Sequence, residues 1–263
     1  MDTGTLVFGH RPRGSSEVLL RAAAERGLRV VQLTDAVVPG ELRGGGAALY
    51  CGLRLADRVA AELGIGLLEA PRDWLAALPP EYTLREITLM PIGQAYELRR
   101  PVFVKSPNDK GITARVYADG SRLPGPDAVD PGLLVLVADL VRFTTEFRLY
   151  VCDGAVRTGS QYAADGEAEI VSLDGHPRRA SVLGFAEGLL AELGATLPSA
   201  VVVDIGTVHD PVEGEHWAVI EANGAWGSGC YAADPQRALD VVLRASCPVD
   251  LMSAHDRGFV RAP

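Results

Sequence analysis

Three oxygen-bearing side chains fall within the stretch Val201 to Tyr231, VVVDIGTVHDPVEGEHWAVIEANGAWGSGCY. Asp204 follows the apolar run Val201 to Val203, and Glu221 and Asn223 follow the run Trp217 to Ile220. Read as two strands of a hairpin, the stretch points Glu221 and Asn223 the same way, because side chains alternate faces along a strand. The return strand can then bring Asp204 opposite them. Two carboxylates and a carboxamide that converge make a hard-oxygen environment suited to Mg²⁺, which takes one or two carboxylates and completes its octahedron with waters and substrate phosphates. The pattern points to chemistry on a nucleotide. The same residues also have an ordinary structural reading, with Asp204 capping a turn, Glu221 paired with an arginine and Asn223 serving the turn Asn223-Gly224.

Two upstream segments bear on the choice. PVFVKSPNDKGITARVY, from Pro101 to Tyr117, reads as an apolar strand ending in Lys105, a polar loop with Lys110 and Gly111, and a second strand. A lysine at the end of a buried strand, followed by turn-forming residues, sets a point charge and free backbone amides before phosphate oxygens. LLVLVADLVRFTTEFRLYVCDGAV, from Leu133 to Val156, reads as a buried strand followed by a strand carrying Glu146 and Arg148. By itself that pair is better explained as a surface ion pair. Arg85, ahead of the lysine strand, would suit a carboxylate or phosphate if it entered a cleft, and a surface salt bridge is an equal alternative. Gly224, Gly227 and Gly229 follow the Glu-x-Asn strand and let the backbone run close to a substrate or phosphate, which marks Gly227 and Ser228 as candidate substrate contacts.

The succession of lysine strand, apolar strand, Glu-x-Arg strand, Asp strand and Glu-x-Asn strand resembles the ATP-grasp superfamily of carboxylate-amine ligases across Pro101 to Tyr231. The loop SPNDKGITA after Lys105 lacks the several glycines of the usual phosphate-covering loop, and the preceding lobe is short. On those grounds the chain resembles a compact branch more than the ribosomal-protein glutamate ligases. The resemblance implies an α/β class, with an ATP-grasp core and a small pre-grasp α/β lobe in front of it. It further implies ATP and Mg²⁺ as cofactors, with the metal on Asp204, Glu221 and Asn223 and the phosphates on Lys105 and Lys110. Backbone groups between Val135 and Asp139, Val137 and Asp139 among them, would meet the adenine edge. Arg148 would reach the reaction centre, sharing the catalytic role with Lys105. The implied reaction forms an acyl phosphate and ADP from a substrate carboxylate and ATP, after which an amine displaces phosphate to make an amide. An amino acid, a peptide or a protein tail could accept, and the oligomeric state is open. Two other classes stay beside the ligase: an ATP-dependent phosphotransferase, and a module that binds ATP without turning it over.

Composition bounds the partners. A chain of 263 residues, 48% hydrophobic, can bury a large core and hold more than one lobe. A net charge of −9 and a pI near 5.1 argue against a nucleic-acid backbone or an anionic membrane as the main partner. The opening MDTGTLVFGHRPR lacks the pattern of a secretory leader, and no apolar stretch reaches the ~18 residues that span a bilayer, so a cytoplasmic protein is expected. Cys51, Cys152, Cys230 and Cys247 are widely spaced with no CxxC pair and read as reduced packing thiols rather than a zinc site. No P-loop and no G-x-S-x-G elbow occurs. His209 and His216, in or beside the hairpin loop, are expected to be solvent-facing and not catalytic.

Apolar runs at Thr5–Phe8, Arg29–Leu33, Ala47–Tyr50 and Ile65–Glu69 alternate with helix-like segments at Ser15–Arg26 and Gly52–Leu63, which predicts a parallel α/β unit. Ser15 and Ser16 are candidate caps of the first helix, and Gly9 and Gly14 are turn glycines. The segment PRDWLAALPP, from Pro71 to Pro80, reads as a short helix stopped by its double proline, so the lobes are expected to divide as 1–78 and 79–263. Helices are expected over Gly184–Leu193 and Ala232–Ala245, and the tail from Asp256 onward is expected to fray.

Overall fold

The computed structural model describes residues 4–9, 15–210, 212 and 214–262. Gly14 lies outside the described residues. The elements run Thr5–Gly9 (β1), Ser15–Glu25 (α1), Arg29–Leu33 (β2), Ala48–Tyr50 (β3), Leu53–Leu63 (α2) and Ile65–Leu67 (β4). Trp74–Ala77 (α3), Pro80–Thr83 (α4), Ile87–Pro91 (β5), Ile92–Ala95 (α5), Val102–Lys105 (β6), Arg115–Tyr117 (β7) and Leu134–Ala138 (β8) follow. Then come Phe143–Cys152 (β9), Ala155–Ala164 (β10), Glu167–Ser172 (β11), Arg179–Leu193 (α6), Ala200–Asp210 (β12), Gly214–Asn223 (β13), Pro235–Ala245 (α7) and Ser246–Pro248 (β14). The chain separates into two compact units, one of residues 1–70, 145–205 and 221–263, the other of residues 71–144 and 206–220. Among the described residues, no helix is long and apolar enough to cross a membrane.

In the first unit the sheet β2-β1-β3 is parallel, as the alternation of apolar runs and helices predicts. Its core gathers Leu6, Val7, Leu19, Leu49 and Leu63 with Trp226 and Val242 from far along the chain. The fourth apolar run does not join that sheet. β4 pairs antiparallel with β14, from Leu67 opposite Ser246 to Ile65 opposite Pro248, and Leu68 bridges Val260. Its partners come from the C-terminal end of the sequence, so no local pattern could have named them. The same pairing overturns the fraying tail, since Arg261 donates to Asp57 Oδ1 at 2.7 Å and to Glu69 Oε2 at 2.9 Å.

The double proline stops a short helix as expected, and it also opens the next one. α3 ends at Ala77, and Pro80 opens α4 at its first turn, where a missing N–H costs nothing. In the second unit, β5, β8, β6 and β7 form an antiparallel sheet in that order. Val102 and Val104 face the core with Val135 and Val137, so alternation along β6 sends Phe103 and Lys105 to the other, half-buried face.

The five strands β11-β10-β9-β12-β13 make the sheet that carries the site. Eight consecutive residues of β12, Ala200 to Thr207, are buried, the mark of a strand covered on both faces. At the C-terminal end of the first unit, Asp256 is 1% exposed and accepts from the Ser199 N–H and hydroxyl, both at 2.8 Å. Burial pushes its carboxyl up, but the Ser199 hydrogen bonds and Arg244 outweigh it and hold the group below the ordinary value. A lowered folded-state pKa contributes stability that is present above the unfolded value, about 3.9, and is lost as pH falls through the folded one. Asp256→Asn is therefore expected to cost ~1–3 kcal/mol at pH 7, and the difference from wild type should shrink below about pH 4. Urea midpoints at pH 7 and pH 3.5 check it.

Candidate active site

β12 lies between β9 and β13, so Arg148, Asp204 and the pair Glu221 and Asn223 sit on three neighbouring strands. Asp204 is 1% exposed, in the middle of a strand of valine and isoleucine. A carboxylate there needs a partner. Arg148, 13% exposed, supplies it as a bidentate pair, Nε to Oδ1 at 2.9 Å and Nη2 to Oδ2 at 2.7 Å. Burial alone would lower the Arg148 pKa, and the Asp204 charge reverses that and raises it, so the guanidinium stays ionised. Glu221 and Asn223, two residues apart on β13, face the same way as expected, and Asn223 Nδ2 donates to Glu221 Oε1 at 2.7 Å. The turn-capping reading of Asp204 does not hold, because the residue is interior to a strand. Nor do Glu146 and Arg148 pair with each other: Glu146 accepts from the Tyr162 hydroxyl at 2.7 Å.

Around Arg148 stand two rings that sequence reasoning missed. Tyr231 and Tyr162 place their centroids 5.2 and 5.8 Å from the guanidinium carbon and stack on each other at 5.2 Å. Burial, with Asp204 and Glu146 adding to it, raises the Tyr162 pKa, so the ring stays a neutral phenol. The loop after β13 is held as firmly. The hydroxyls of Tyr150 and Tyr50 both donate to the Ser228 carbonyl, at 2.9 and 3.1 Å, and Ser228 Oγ donates to the Gly224 carbonyl at 2.9 Å. Arg148 Nη1 reaches the Gly229 carbonyl at 3.4 Å. Trp226, fully buried, donates to the Leu68 carbonyl at 2.9 Å and lies so close to Gly224 that a Cβ there would come within 2.4 Å of the indole nitrogen. Gly227 is exposed and Ser228 buried.

In the second unit, Lys105 ends β6 opposite Leu136 of β8. The following loop is ordered by side chains in place of extra glycines: Ser106 Oγ accepts from Ile112 N–H at 3.1 Å, and Asp109 Oδ1 from Gly111 N–H at 2.7 Å. Lys110 is exposed within it. Val137 is buried and paired on both sides, with Thr88 and with Val104, so its backbone groups belong to the ladder. Asp139 lies one residue past β8, its N–H donating to the Glu86 carbonyl at 3.0 Å and its carboxylate accepting from Arg100 at 2.6 Å. Among the described residues, Arg85 makes no surface salt bridge of the kind weighed for it. Its guanidinium donates to the carbonyls of Thr83, Val219 and Ile220 at 2.8, 3.0 and 3.3 Å, beside the Phe143 ring. Burial pushes its pKa down to about 10, which leaves it charged at neutral pH. Its expected substrate role thus competes with this structural use.

Residues 82–241 match a sequence family described as an ATP-grasp domain, the second family of its clade. No curated protein matches the chain by sequence. Among solved structures, the D-cycloserine synthetase DcsG is similar with a TM-score of 0.55 at 16% identity, over 91% of this chain and 99% of that one. The D-alanine–D-alanine ligase of Bacillus anthracis has a TM-score of 0.52 at 11% identity, over 92% and 96% of the two chains. The ATP-grasp ligase PsnB, complexed with a minimal precursor, has a TM-score of 0.51 at 14% identity, over 93% and 99%. Such identities speak for the fold. The family match, which spans more than half of the 263 residues, says more: the chain belongs to this ATP-grasp domain family.

Proposed function

We propose that the chain is an ATP- and Mg²⁺-dependent ligase that activates a substrate carboxylate as an acyl phosphate and joins it to an amine, releasing ADP and phosphate. The observation that carries this reading is the grouping of Asp204, Glu221 and Asn223 with Arg148 on three adjacent strands. Carboxylate and carboxamide oxygens are the donor chemistry Mg²⁺ takes, and the ion would supply positive charge against the triphosphate. A substrate carboxylate oxygen attacks the γ-phosphorus, the bond to the β,γ-bridging oxygen breaks, and ADP leaves with that electron pair. The amine nitrogen then attacks the acyl carbon, the carbon–oxygen bond to phosphate breaks, and the nitrogen loses a proton. Carboxylate and triphosphate repel each other, so charge neutralisation and in-line positioning are what the protein must provide. This reading gives Lys105 and Lys110 to phosphate oxygens, Arg148 to the transferring group, and the firmly held carbonyl and hydroxyl of the Gly227–Ser228 loop to substrate placement. It gives the adenine edge to the segment beginning at Asp139. No side-chain nucleophile is needed.

The similar folds are a D-cycloserine synthetase, a D-alanine–D-alanine ligase and a ligase complexed with a precursor, which favours a small amino-acid or peptide substrate and amide-bond formation. Buried cysteines at Cys51, Cys152 and Cys230 that read as packing thiols agree with a cytoplasmic setting.

ADP release with Mg²⁺ and ATP, screened against amino-acid and dipeptide pairs with products weighed by mass spectrometry, tests the reading. A product lighter by one water than its two substrates is expected. A phosphorylated product stable to hydroxylamine would mean a phosphotransferase instead, and tight ATP binding without turnover across all pairs would mean a binding module. In the same assay Lys105→Ala is expected to lower kcat/KM for ATP by ~10²-fold, the usual loss of one preorganised charge at a phosphoryl group.

A further inference from the structure

The two rings beside Arg148 are brought there by two separate departures from regular backbone. On β10, Gln161 pairs with Phe147 and Ala163 with Glu146, so two residues of β10 advance against one of β9. Tyr162 is the extra residue, the centre of a β-bulge. Bulges re-aim a side chain that a regular ladder would send elsewhere. Tyr231 has φ of +47°, a left-handed conformation that a bulky residue seldom adopts. The neighbouring backbone holds it there: Ala232 N–H donates to Ser160 Oγ at 3.2 Å, and Asp234 N–H to Thr158 Oγ1 at 2.8 Å. The strand that bulges at Tyr162 thus also ties down the segment that carries Tyr231.

The geometry of the three groups says what the rings do. The guanidinium carbon is 5.2 Å from one ring and 5.8 Å from the other, while the rings are 5.2 Å apart and 15° from parallel. Three nearly equal separations close a triangle. The cation therefore lies beside the stacked pair and meets both rings, where a column would have put one ring nearly twice as far away. A ring attracts a cation over its face and not at its edge, so of two nearly parallel rings one at most draws the guanidinium through its quadrupole while the other confines it by packing, and both effects grow where water is excluded, as it is around a side chain 13% exposed. Tyr162 is further fixed through its hydroxyl on Glu146, two residues from Arg148 on the same strand face.

We infer that Tyr162 and Tyr231 are positioning residues for Arg148. They hold its guanidinium aimed by contacts that do not involve Asp204, whose carboxylate the proposed function assigns to the metal. The inference rests on that reading for the task of Arg148, and on geometry alone for the cradle.

Two measurements separate these. The first is the ¹⁵N–¹H signal of the Arg148 Nε, identified by its loss in Arg148→Lys. Tyr231→Leu should move it by removing a ring current, and Tyr231→Phe should restore it towards the wild-type position. The second is calorimetric binding of Mg²⁺ with ADP and with β,γ-imido ATP. Tyr231→Leu and Tyr162→Leu should weaken the imido analogue more than tenfold and ADP less than threefold, with recovery in Tyr231→Phe. An unmoved Arg148 signal in Tyr231→Leu, or equal weakening of both nucleotides, overturns the positioning role. A wild-type chain that binds neither nucleotide overturns the proposed function, and the Arg148 signal then decides the cradle.

Discussion

Glu221→Ala is expected to lower Mg²⁺-dependent ATP turnover by ~10²–10³-fold, the scale on which loss of one preorganised electrostatic group acts, while leaving the fold in place. The two halves of that expectation come from different observations. Glu221 is half-buried near the end of β13 and accepts from the Asn223 side chain at 2.7 Å. Water can take up the groups left behind at an accessible strand end, so the thermal midpoint should move far less than the turnover. Chemistry is another matter, because a carboxylate proposed to hold the Mg²⁺ that offsets the triphosphate charge cannot be replaced by water without losing the fixed charge that keeps the ion in place. Glu221→Gln keeps the volume and the acceptor for Asn223 but removes the charge, and should fall with the alanine variant. Rates for both variants in the ADP-release assay, beside melting curves, check it. Turnover near wild type in either variant would remove Glu221 from the reaction.

Much of the candidate site was legible because its residues end elements with strong periodic patterns. Lys105 closes an alternating strand, and Glu221 and Asn223 keep period two, so their common face follows from the pleat. What was not legible lies at long range or in irregular backbone. The partner of Asp204 is 56 residues away, and only the sheet order puts β9 beside β12. The hairpin β10–β11 was overlooked although Asp153-Gly154 and Asp165-Gly166 spell the two-residue turn that joins antiparallel strands. Both pairs have positive φ, 51° and 71° in the first and 50° and 84° in the second. Reading those dipeptides would have given β10 and put Tyr162 near Arg148. The bulge that re-aims Tyr162, and the left-handed Tyr231, depend on pairing and tertiary anchors that no local window contains. The same holds for β4, whose three residues read as one more parallel strand until β14 takes them.

Asp204→Ala should do what Glu221→Ala does not and destabilise the protein by ~3–5 kcal/mol, because it leaves a guanidinium 13% exposed without its counter-charge. Arg148→Ala should cost a similar amount, since the carboxylate left behind is 1% exposed. Removing both charges tells the two roles apart. An interior ion pair replaced by apolar side chains of like volume is often no less stable than the original, because the desolvation of both ions disappears with their attraction. Asp204→Leu combined with Arg148→Met should therefore recover most of the stability lost by either single alanine variant, and the shortfall from additivity in urea midpoints measures the coupling. The tyrosine pair gives Arg148 partial support, so Asp204→Ala should cost less in the wild-type background than in a Tyr231→Leu background. Activity should not follow stability back. The double variant should fold but would lack both the carboxylate proposed for the metal and the cation proposed for the transferring phosphoryl group, and its ATP turnover should stay at the level of Asp204→Ala. A double variant that regains turnover along with stability would show that the pair only holds the sheet together, and the chemistry would have to lie elsewhere.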